Sequence, residues 1–362
     1  MTLPLTEAEE PVERSAKASL LSTVLRIVAM VGALGLSFFV LFKAFDDLDV
    51  DAIVDTVTSF DDAEMVGLAS LWVIWLAAQG LQTAALVRDL PVRRGVLAFL
   101  APAAIASLIP GPSDLPVRHR MLRSWGRTTT ESTVAVAAGG LFSIGIKLVL
   151  PIVAAIGLVV SDSPVEGSLR TIVTIAMIAG LGLAAAAFVF SSPSRTAVVG
   201  RMLAPVWTLV LRLLRRSTDR DLAAQLVTMR ERAVDALRGR WLVATWGTVA
   251  TATTRFGLLL MALRFAGVET DAVGATQVFV VYALVQGLTV VPLTAGDAGI
   301  SELAYISMLT AIAGSDRVNE VTAGVLVFRV LTWLAIIPAG LVAMAVWRLS
   351  LRRQRRADAT PT

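Results

Sequence analysis

Two short segments of this chain bring proline, glycine and charge together. The first reads Leu108-Ile109-Pro110-Gly111-Pro112-Ser113-Asp114-Leu115-Pro116-Val117-Arg118. The second reads Val291-Pro292-Leu293-Thr294-Ala295-Gly296-Asp297-Ala298-Gly299-Ile300-Ser301-Glu302. Proline removes a backbone donor and glycine permits dihedrals closed to other residues, so each segment frees polar backbone groups beside its carboxylates. Three cations, Lys147, Arg255 and Arg329, stand inside long apolar runs. Buried guanidinium and ammonium groups suit an anion, Arg bidentately and Lys as a point charge. The carboxylates could instead take a proton or sodium ion. No base–nucleophile pair stands out, so an enzyme is not expected. The absence of cysteine excludes thiolate chemistry, and the single His119 excludes the two-histidine zinc motifs, so no metal or cofactor is expected.

The elements around these residues are apolar on every side. Leu20–Phe42 is 23 residues long with one charge, Arg26. At 1.5 Å per residue it spans roughly 35 Å, enough for a hydrocarbon core of ~30 Å. A hydrophobic fraction of 56%, charged residues at 17% and a mean hydropathy of +0.74 extend that pattern over all 362 residues. The fold class is therefore all-α: a polytopic integral membrane bundle of seven or eight transmembrane helices, with one or two re-entrant or broken half-helices. The first apolar run is too long for a signal-peptide core and has no small-residue cleavage site after it, so it reads as a retained helix.

Charge orients the chain. Basic loops mark the cytoplasm. Residues 1–19 are expected to be a polar, disordered cytoplasmic N-terminus. Seven Asp between Phe45 and Asp62, against Lys43, put the first loop outside. Met65–Val87 returns to Arg88, Arg93 and Arg94. Val96–Ile109 has only 14 residues and is flanked by arginines on both sides, which predicts a cytoplasmic re-entrant hairpin. Ser132–Val160, Thr171–Phe190 and Trp241–Phe265 are further crossings, followed by Thr276–Val291, the short Gly299–Ala313, and Val321–Trp347. Segment 191–240 holds ten Arg against four acids and lies inside. Within 195–240, Leu203, Val206, Trp207, Val210, Leu211 and Leu214 beside Arg212, Arg215 and Arg216 read as an amphipathic helix on anionic inner-leaflet lipids; a solvated loop is the alternative. Residues 348–362 read as a basic, disordered cytoplasmic tail. The chain is thus expected in the plasma membrane with both termini cytoplasmic. Its 29 Arg among 32 basic residues follow this topology and call for no nucleic acid.

Non-helical backbone at membrane depth belongs in a cavity, and paired interruptions in two halves of a transporter point to its binding site. The alternative is surface turns with ordinary helix caps. A charge at the bilayer centre costs at least ~2.5 kcal/mol, so Lys147, Arg255 and Arg329 must face a cavity or an acid such as Asp114, Asp297 or Glu302. Arg26 and Arg264, near helix ends, are expected to snorkel to the interface.

With these motifs the chain resembles the transmembrane domain of the lysylphosphatidylglycerol synthase, or flippase-like, family over roughly residues 20–347. Pro110, Gly111 and Arg118 match its first motif, and Pro292, Gly296, Gly299 and Glu302 its second. Two departures stand out: Asp114 lies one position before the usual acid, at Leu115, and Asp297 replaces a usual glycine. No soluble aminoacyltransferase domain like that of the two-domain members is expected, so the resemblance implies no lipid aminoacylation. The resemblance implies translocation of a membrane phospholipid or lipid-linked substrate, with Pro110, Gly111, Asp114, Arg118, Gly296, Asp297, Gly299 and Glu302 around the substrate. Lys147, Arg255 and Arg329 join this set from their position alone. A secondary transporter of a small solute or ion and a non-transporting envelope scaffold are the alternative readings. No nucleotide-binding motif is present to power any of them.

Overall fold

The computed structural model describes residues 50–109, 113–160, 192–213, 239–290 and 294–358, with isolated positions between 178 and 235. Several expectations lie outside these residues: the N-terminal tail, Leu20–Phe42 with Arg26, Pro110, Gly111, Pro292, and much of 171–190 and 195–240.

Among the described residues the fold is helical, with no strand. Helix α1 (Val50–Thr58) precedes α2 (Asp62–Ala85), which starts at a capping box. Asp61 Oδ1 accepts from the Glu64 amide at 2.7 Å, and Glu64 Oε2 accepts from the Asp61 amide at 3.0 Å, satisfying two end donors. Next come α3 (Val92–Leu108), α4 (Asp114–Ser124), α5 (Thr129–Val160) and α6 (Pro193–Leu213). Thr128 and Glu131 cap α5 in the same reciprocal way. After α7 (Trp241–Phe265) and α8 (Ala275–Leu288), a 3-10 turn at Ala295–Asp297 leads into α9 (Ile300–Ala313). Helix α10 (Val318–Arg329) passes through a π turn at Val330–Leu334 into α11 (Ile336–Asp358).

Among the described residues, three helical stretches are long and apolar enough to cross a membrane: Asp62–Ala85, Thr129–Gly157 and Ser315–Arg353. Helices α8 and α9, with 14 residues each, reach only about 21 Å and fall short of the ~30 Å core. Val66, Val73 and Ile74 of α2, Ile156 of α5 and Val342 of α11 are all exposed. Apolar side chains directed outward from long helices are what a bilayer requires and water penalises.

Helix α2 packs between α3 and α7, with α11 on α3, α10 on α7, and α8 on α5. Gly80 and Gly95 let α2 and α3 meet backbone to backbone, since a Cβ at either would collide with the other helix. The core around α7, α8 and α10 includes the fully buried Leu258, Leu259, Tyr282, Tyr305 and Phe328. The Tyr305 and Phe328 rings meet edge to face at 5.7 Å.

The structure corrects one expectation. The basic tail is helical to Asp358, because α11 runs on past Trp347, whose indole Nε1 donates to Ser124 Oγ at 2.9 Å. Val321–Trp347, expected as a crossing, lies within the long apolar stretch Ser315–Arg353, which carries the π turn. The Leu331 carbonyl within that turn accepts from Trp72 Nε1 at 2.8 Å, one partner for backbone the irregularity frees. Arg264 lies in the last turn of α7, beside the loop that follows it. Its two Nη atoms donate to the carbonyls of Val268 and Val273 at 2.6 and 2.7 Å, pinning the loop between α7 and α8.

Candidate functional site

The second break is built on positive φ. Gly296 sits at φ 60° and Gly299 at φ 85°, and Asp297 itself is at φ 58°. A Cβ on Gly296 would run into the Trp333 indole, so both space and dihedral demand glycine there. Asp tolerates the left-handed region better than most residues. Here it adds a carboxylate where glycine would give only the turn.

Two cations come close to this turn, Arg329 from α10 and Lys147 from α5. From α10, Arg329 Nε donates to Glu302 Oε1 at 2.7 Å and Nη2 donates to the Gly296 carbonyl at 2.9 Å. Glu302 Oε2 accepts from the Gly299 amide at 2.7 Å, so one carboxylate caps α9 and neutralises Arg329. At 4% exposure, Arg329 is a consumed cation. From α5, Lys147 Nζ donates to the Thr289 carbonyl at 2.6 Å and to Thr289 Oγ1 at 3.2 Å. Asp297 Oδ2 lies 4.0 Å away, and both side chains stay about a fifth exposed.

Arg255 differs from both. Its Nε is buried without a hydrogen-bond partner, and no carboxylate among the described residues pairs with it. Its guanidinium lies 5.9 Å from the centre of the Phe328 ring. It faces a cavity of about 90 Å³, shared with Lys147, between α2, α5, α7 and α8. Gln79, Gln82, Ser143, Thr251 and Gln286 supply polar wall. Gln286 Nε2 donates to Tyr282 Oη at 3.2 Å, and Tyr282 Oη donates to the Ala252 carbonyl at 3.1 Å.

A second cavity, of about 110 Å³, lies between α2, α3, α4 and α5 and contains Arg118. Arg118 Nη2 is 3.5 Å from Asp114 Oδ2, one helical turn before it, while its Nε is buried and unpartnered. Gln79, Gln82 and Ser143 line both cavities, so the two adjoin along one polar wall. Gln82 Nε2 donates to Thr248 Oγ1 at 2.9 Å across that junction.

The two breaks approach through backbone rather than charge. Helix α3, which leads into the first break, packs on the Ala295–Asp297 turn of the second. No ion pair joins Asp114 or Arg118 to Asp297 or Glu302 among the described residues; each acid takes a cation nearer to it. The polar wall was not among the expected site residues. Its signal lay in the sequence all the same: Gln79 and Gln82, three apart, and Tyr282 and Gln286, four apart, each interrupt an apolar helix on one face.

A family model described as the lysylphosphatidylglycerol synthase TM region matches residues 27–340. The chain belongs to this family. No individually curated protein matches it. The matched stretch contains both Pro/Gly segments and Lys147, Arg255 and Arg329, so the cavities lie within the family's shared domain.

Proposed function

We propose that the chain is a lipid translocator: a phospholipid or lipid-linked headgroup crosses through the two adjoining cavities while its tails stay in the bilayer. The observation that carries this reading is Arg255, a guanidinium kept beside a cavity with no counter-charge among the described residues. An unpaired buried charge is costly, and a protein keeps one where a ligand completes it. Membership of a family named for a lipid synthase's membrane region supports a lipid as that ligand.

In this reading the bundle has seven or eight crossings, and α3–α4 and α8–α9 are its re-entrant or broken pairs. The chain sits in the plasma membrane with both termini cytoplasmic, as its basic loops favour. The Arg-rich stretch around α6 rests on anionic inner-leaflet lipid. The chain acts as a carrier rather than an enzyme and needs no cofactor.

Leaflet exchange of labelled lipids in vesicles containing the purified chain tests this, scored against empty vesicles. The expected result is exchange above background that Arg255→Gln abolishes. Background rates for every lipid class would overturn the reading.

A further inference from the structure

Charge around the two cavities can be counted. Three cations border them: Arg118, Lys147 and Arg255. Two carboxylates answer: Asp114 at 3.5 Å from Arg118 and Asp297 at 4.0 Å from Lys147. Arg329 and Glu302 cancel each other outside the lining. Among the described residues one positive charge, on Arg255, is left over, and no Asp or Glu of theirs lines either cavity. In a medium of low dielectric, a bound headgroup is stabilised when it brings this sum to zero and penalised when it overshoots or adds to it.

From this count, and resting on the translocator reading above, we infer the substrate class. The passage takes a phosphodiester lipid with a single negative charge, whose headgroup beyond the phosphate is uncharged and hydroxylated. The phosphate neutralises Arg255. The rest of the headgroup meets amides and hydroxyls, groups that both donate to and accept from alcohols. Thr251 Oγ1 is buried there without a partner, and the Gln79 side chain faces both cavities. An aminoacylated or ethanolamine headgroup would bring an ammonium into a positive site that offers it no free carboxylate. A phosphomonoester or diphosphate would bring a second negative charge with no cation free to meet it, since Lys147 already has Asp297.

The test uses vesicles carrying the full chain and four labelled lipids with matched acyl chains: phosphatidylglycerol, phosphatidylethanolamine, lysylphosphatidylglycerol and phosphatidic acid. Phosphatidylglycerol should exchange at least about tenfold faster than the other three, a ratio equivalent to ~1.4 kcal/mol. Two variants move the count. Asp297→Asn keeps a residue that tolerates the left-handed turn and frees Lys147, and it should shift preference toward phosphatidic acid. Gln79→Glu adds a carboxylate to the shared wall, and it should raise phosphatidylethanolamine relative to phosphatidylglycerol. Equal exchange of phosphatidylglycerol and lysylphosphatidylglycerol, or variants that leave the order unchanged, would overturn the charge count while translocation stands. Exchange of no lipid by folded protein would overturn translocation itself.

Discussion

Arg329 and Glu302 are joined at 2.7 Å, and through this pair α10 closes the backbone of the second helix break. The same guanidinium holds the Gly296 carbonyl, and the same carboxylate caps α9. Breaking a buried pair by removing one partner strands the other charge. Arg329→Gln or Glu302→Gln should therefore each lower stability by ~3–5 kcal/mol, read as thermal unfolding in detergent. The joint replacement Arg329→Met with Glu302→Leu should cost less than the sum of the single changes. Additive losses would show that the two residues act separately.

Arg255 should behave in the opposite way. Arg255→Gln removes a charge that no carboxylate answers, so the melting temperature should hold or rise while leaflet exchange falls to background. A loss of stability equal to that of Arg329→Gln would mean that the guanidinium is structural.

Gly296→Ala places a Cβ against the Trp333 indole at a dihedral that costs about 1–3 kcal/mol for a residue with a side chain. The variant should unfold at lower temperature, with a shift in tryptophan emission as Trp333 is displaced. Gly140→Ala, where a Cβ meets open space inside α5, is the control and should change little.

Ser113 follows the first break and Arg94 opens α3. If α3 and α4 enter and leave the membrane on one side, cysteines at both positions react with an impermeant reagent from the cytoplasmic side. Labelling of Ser113→Cys from the outside would make α3 a full crossing.

How far the sequence reached depends on what kind of information each element carries. Trp241–Phe265 has the same bounds in sequence and structure because Gly239 and Gly267, both at positive φ, stand just outside its two ends. Helices α2 and α5 begin three residues before their apolar runs, because polar capping boxes belong to the helix yet carry no hydropathy signal. The π turn was illegible. No proline or glycine marks Val330–Leu334, and its Leu331 carbonyl is met by Trp72, some 260 positions earlier in the chain. The acids were foreseen as partners for the buried cations, but which acid meets which cation is a tertiary fact. Glu302 took Arg329, Asp297 took Lys147, and Arg255 was left without one.

The π turn also sets a phase. One extra residue in a helical turn rotates everything beyond it by roughly 100° relative to an uninterrupted helix. Upstream, this phase points Arg329 at the second break. Downstream, it brings Gly340 against Leu100 and Ala104 of α3, and Trp347 against Ser124 after the first break. A regular helix could satisfy one of these registers only by giving up the other. The slip at Val330–Leu334 therefore lets a single continuous rod serve two faces, keyed to one interruption by its first half and to the other by its second.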